Sequence, residues 1–89
     1  MEPKIYLPSL SHWEHGNKWS GERGRVRFLI VPAEGELTAE MWRGPMCRDF
    51  TEPEITAVFP ISEKGLAELE QWLRTTAAEM NAAAEKSAV

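Results

Sequence analysis

The strongest constraint in this chain is RVRFLIVPAEGELTAEMW, residues 25–42, which contains two alternating runs around a turn signal. In an extended backbone successive side chains point to opposite faces, so alternation marks a strand with one buried face. Val26, Phe28 and Ile30 share one face, and Arg25 and Arg27 lie on the other, with Leu29 and Val31 extending that second face. Leu37, Ala39 and Met41 alternate in the same way with Thr38, Glu40 and Trp42. Between the runs, Pro32 is expected to stop the ladder and Gly35 to supply a permissive backbone. The segment therefore predicts an antiparallel hairpin whose apolar face needs a cover.

The cover is predicted at the other end of the chain. Ser62 suits a helix N-cap, and Glu63 sits in the first turn, where a carboxylate complements the helix dipole. Leu66, Leu69, Leu73, Thr76, Ala77 and Met80 then recur at three- and four-residue steps as one apolar stripe, with Trp72 on its rim. Glu70 and Arg74 suit an i,i+4 pair, and the Ala-rich tail over 81–89 can continue the helix but, with little to pack against, is expected to fray. Two more strands are expected, ITAVF (55–59) and a Pro8-interrupted edge strand over Lys4–Leu10. The predicted fold is α+β: a small antiparallel meander of three to four strands packed against one C-terminal amphipathic helix. With 89 residues, 1–89 reads as a single domain with a thin core.

Charge narrows the partners. The net charge is −4, but residues 1–33 carry +2 and residues 34–89 carry −6. That balance argues against general nucleic-acid binding and leaves a local basic region at Lys18, Arg23, Arg25 and Arg27. The N-terminal MEPKIYLPSL lacks the apolar core of a signal peptide, and no run approaches a membrane span. The single cysteine, Cys47, excludes an internal disulfide. A cytoplasmic protein that spans no membrane is expected.

The chemistry-bearing residues concentrate in SHWEHGNKWSGERGR, residues 11–25, which reads as a loop. His12 and His15 lack the ligand spacing of a zinc site and are expected to be loop polar groups, so no metal or cofactor is predicted. Cys47 paired with a histidine is a weak nucleophile–base candidate, and no catalytic residue is assigned. Gly16, Gly21 and Gly24 precede a strand rather than follow one, which rejects a phosphate-binding loop. The remaining constellation is Trp13 and Trp19 with Arg23, Arg25 and Arg27, joined by Trp42 on the sheet face opposite Met41. Tryptophan and arginine dominate protein contact hot spots, and the pair also suits stacking on a planar anion. Against this stands the equal expectation that Trp13 and Trp19 close the core.

The stretches SHWEHGNKW (11–19), GRVRFLIVPAEG (24–35) and MWRGPMC (41–47) resemble small proteins of phages and conjugative elements of gut Firmicutes, over about residues 5–80. The resemblance carries no activity and no catalytic residue. It implies an accessory factor that binds a host protein, including anti-defence inhibitors of the anti-CRISPR kind. The expected function is thus a non-catalytic inhibitor or adaptor, with His12, His15, Trp13, Trp19, Arg23, Arg25, Arg27 and Trp42 as candidate binding residues. The alternatives are sequestration of a nucleotide or other small anionic ligand, or an uncharacterised structural domain. A monomer or weak homodimer is expected.

Overall fold

A computed structural model of the protein describes residues 4–44 and 51–87. The chain forms α1 (Leu10–Glu14), β1 (Trp19–Arg23), β2 (Val26–Ala33), β3 (Glu36–Arg43), β4 (Ile55–Pro60) and α2 (Glu63–Ser87). The strands make one antiparallel sheet in the order β1-β2-β3-β4, a meander. Its thinnest dimension, 16 Å, accommodates one sheet layer and one helical layer. The α+β class read from the sequence is the observed one.

The central hairpin follows the alternation closely. Val26, Phe28 and Ile30 of β2 and Leu37, Ala39 and Met41 of β3 all face the core and are buried. Leu69, Leu73 and Ala77 of α2 meet them from the helix side, and Leu66, Trp72 and Met80 flank that contact. Ser62 caps α2: its Oγ accepts the Gly65 N–H at 2.9 Å, satisfying one of the donors that a helix N-terminus leaves open.

Two expectations are corrected. Pro32 does not stop the ladder, because it pairs with Leu37, and the hairpin closes only at Ala33 and Glu36. Glu34 and Gly35 both take positive φ (53° and 77°), the pattern of a tight two-residue I′ turn. That turn makes Ala33 and Glu36 a hydrogen-bonded pair, so position 32 turns its nitrogen away from β3. β1 reaches only as far as Ile30, so no neighbour there needs a Pro32 N–H.

The second correction concerns the first strand. Lys4–Leu10 forms no strand; the fourth strand is β1, inside the stretch expected to be a loop. Trp19, Gly21 and Arg23 are the inward positions of β1, opposite Ile30, Phe28 and Val26. A glycine in the middle inward position hides the alternation from the sequence. A Cβ at Gly21 would come within 2.7 Å of the Phe28 ring, so that ring occupies the space a side chain would need. Gly24, with φ +62°, turns the chain from β1 into β2.

The Ala-rich tail after Met80 continues the helix, and α2 runs to Ser87. The Asn81 side chain ties this part of the helix to the β1–β2 turn, accepting the Arg25 N–H at 2.8 Å and donating to the Arg23 carbonyl at 3.0 Å.

Candidate functional site

Trp13, the residue for which core and surface were equally expected, is core. It is 1% exposed, and its Nε1–H donates to the Pro8 carbonyl at 3.2 Å. Five-residue α1 thus acts as a plug that drives one indole under the sheet. Trp19 is half-buried at the start of β1, and its ring is shared between two neighbours. His12 meets it edge-on at 5.7 Å, and the same imidazole meets Trp13 edge-on at 4.9 Å. On the solvent side Tyr6 lies tilted against Trp19 at 5.7 Å.

Both histidines are held by the main chain. His12 Nε2–H donates to the Lys18 carbonyl at 3.0 Å, and His15 Nδ1–H donates to the Ser11 carbonyl at 2.6 Å. A carbonyl only accepts, which fixes the tautomer of each ring. Among the described residues, no three His, Cys, Asp or Glu side chains gather as a metal site requires. Cys47, and with it the nucleophile–base candidate, lies outside the described residues.

The arginines do not converge. Arg23 is an inward position at the end of β1, Arg25 occupies the exposed β1–β2 turn, and Arg27 lies on the outer sheet face. There Arg27 is flanked by Glu22 at 3.7 Å and by Trp42 on β3. Trp42 is on that outer face, as its alternation implies, yet it is only 4% exposed and presents no open ring. The expected Trp/Arg surface is therefore split among the core, the turn and the outer face.

The structure supplies a residue that sequence reasoning passed over. Tyr6 is 73% exposed, the most exposed large apolar side chain among the described residues. It is presented by an extended segment with no strand or helix of its own. A carboxylate anchors that segment: the Ile5 N–H donates to Glu70 Oε2 at 3.0 Å. Arg74 clamps the same carboxylate with two further bonds of 3.0 Å. Burial pushes the Glu70 carboxyl upward, but the hydrogen bonds from Arg74 and Ile5, with the charges of Arg74 and Lys4, outweigh it and hold Glu70 below the usual range. Between this segment and β1 lies a cleft of about 260 Å³, walled by Tyr6, Trp19 and Phe28, with Lys4 and Arg23 among its lining. A second hollow of about 430 Å³, between α1 and the β2–β3 turn, is rimmed by Glu14 and Glu34. Its acidic rim disfavours an anion. The only pointer to Tyr6 in the sequence was an aromatic beside a proline-interrupted apolar segment, which reads equally well as an edge strand.

Fold and site together define a small α+β domain that presents an aromatic cleft at one edge of its sheet. Among the described residues, no helix is long and apolar enough to cross a membrane. Comparison with family models, curated proteins and solved structures finds no match to this chain.

Proposed function

We propose that the chain is a non-catalytic binding protein, an inhibitor or adaptor of a host protein, whose contact surface is the Tyr6–Trp19 end of the sheet. The observation that carries this reading is an aromatic ring 73% exposed and braced on a half-buried tryptophan. An amphipathic ring held in place loses little conformational entropy on contact, which is why such rings anchor protein interfaces. The host partner is the class implied by the resemblance to phage and conjugative-element proteins. The test compares capture by tagged wild-type protein and by Tyr6→Ala. Tyr6 is nearly free of the core, so the variant is expected to keep its melting temperature and to lose a stoichiometric partner by at least about tenfold, the ~1.4 kcal/mol scale of a contact hot spot. Undiminished capture by a folded Tyr6→Ala protein would place the interface elsewhere.

A second reading rests on Lys4 and Arg23 lining the same cleft. Two cations beside the tilted Tyr6–Trp19 pair, set against one carboxylate at Glu22, suit a small planar anion such as a nucleotide. A nucleotide panel should then raise the melting temperature of the wild type and not of Lys4→Ala. A flat panel at saturating ligand removes this reading.

A further inference from the structure

We infer that β4 is a self-pairing edge, through which two copies of this chain join their sheets into one about a two-fold axis at Ala57. The argument starts from where the β4 backbone points. Ile61 donates its N–H to the Gly35 carbonyl at 3.1 Å, continuing the register that pairs Phe59 with Leu37 and Ala57 with Ala39. Backbone groups in an antiparallel strand alternate between the two sides, so Ile55, Ala57 and Phe59 direct theirs to β3. Thr56 and Val58 direct theirs outward, and among the described residues β4 is the last strand of the sheet.

That leaves two outward N–H donors, at Thr56 and Val58, bounded by positions that supply no further donor. Pro60 has no N–H, and the Glu54 N–H is already bonded to the Met41 carbonyl at 2.8 Å. An antiparallel copy with Ala57 opposite Ala57 places Thr56 opposite Val58 twice, and all four donors find all four acceptors. Sliding the copy by two residues sets Val58 opposite Val58 and Thr56 opposite Pro60, or Thr56 opposite Thr56 and Val58 opposite Glu54. Either slip also makes four bonds, because Pro60 and Glu54 keep their carbonyls. The first, however, relies on the Pro60 carbonyl, against which the first turn of α2 is packed at Gly65, and the second on Glu54, which lies beyond the end of β4. The register about Ala57 is the one that keeps all four bonds within Thr56–Val58.

The side chains agree with it. The matched register opposes Ile55 with Phe59 on the core side and Thr56 with Val58 on the outer side, so no charge meets a like charge. β4 carries no charged residue, and Val58 (52%) and Ile55 (39%) are exposed. Sheet edges are normally blunted by charges or covered. The other edge, β1, has both: Glu22 and Arg23 within the strand and the Lys4–Tyr6 segment alongside. A neutral edge whose hydrogen-bonding set is its own complement fits a second copy better than an unrelated chain. Pairing through β4 leaves the two Tyr6–Trp19 ends at the far edges of an eight-stranded sheet, seven strand spacings or ~34 Å apart.

Sedimentation equilibrium under reducing conditions tests this over about 10 µM to about 1 mM protein. The mean mass is expected to climb from 10.1 kDa toward twice that value. Thr56→Pro removes an outward N–H without touching the β3 ladder, and Val58→Lys adds a cation to each side of the seam. Both variants are expected to melt like wild type and to stay at 10.1 kDa. Amide exchange at Thr56 and Val58 is expected to slow as wild-type concentration rises. A mass fixed at 10.1 kDa throughout overturns the inference, as does a dimer that both folded variants form equally well.

Discussion

At position 65 a hydrogen atom is the largest side chain that fits. A Cβ on Gly65 would stand 2.0 Å from the Pro60 carbonyl oxygen, which is backbone and cannot step aside. Helix propensity alone favours alanine over glycine there by about 1 kcal/mol. The contact reverses that sign: Gly65→Ala is expected to destabilise by ~1–3 kcal/mol, the range for overpacked sites, and to lower the melting temperature. A rise in melting temperature would show that the first turn of α2 can shift off β4. Gly21 follows the same logic against the Phe28 ring, a side chain that has more room to yield. Neither constraint is legible in the sequence, where a glycine reads as freedom rather than as closeness.

At the scale of elements, the attachment of the N-terminal segment depends on pH. Glu70 accepts the Ile5 N–H and receives Arg74 at the same time. Its carboxyl is held below the usual range although burial pulls it up. A carboxyl depressed in the folded state contributes stability above its unfolded pKa of about 4.3, and loses it as pH falls through the lower folded value. The protein is thus expected to lose stability below about pH 4.3, and Glu70→Gln to flatten that acid limb while lowering stability at neutral pH. Equal acid limbs in urea titrations at several pH values would remove Glu70 from this role. Glu54 adds to the same limb: the hydrogen bond from Arg43 holds it low, against burial. That pair also joins the end of β3 to the start of β4, with Arg43 Nε and backbone N–H both donating to the one carboxylate.

For the whole molecule, thinness sets the consequences. A two-layer domain of 89 residues has a stability of about 4–13 kcal/mol at ordinary values per residue. Removing a buried tryptophan costs ~3–5 kcal/mol, a large share of that sum. Trp13→Ala is therefore expected to melt the protein at or near room temperature, whereas Tyr6→Ala leaves the melt within the ±0.5 kcal/mol usual for surface changes. Far-UV circular dichroism melts of the two variants check this contrast. A stable Trp13→Ala protein would mean that α1 detaches without loss of the sheet. Among the described residues no second helix packs on the outer sheet face, where Val31 is 38% and Val58 52% exposed although Trp42 is buried.

The sequence by itself determined the central hairpin, the core-facing residues of β2 and β3, the stripe of α2 and its Ser62 cap. These are local, because period and capping are properties of neighbouring residues along one element. It also carried the outward placement of Trp42, though not its burial, and the even choice for Trp13. Tertiary structure alone decided the rest. It made a strand of residues 19–23 because the Phe28 ring fills the place of a missing side chain. It carried the β2–β3 ladder through Pro32 because β1 ends short of that position. It drew Tyr6 to the surface beside Trp19 because Glu70, 65 residues from Ile5 along the chain, holds the intervening backbone. Contacts between distant residues have no period to read, so the site that depends on them appears only once the chain is folded.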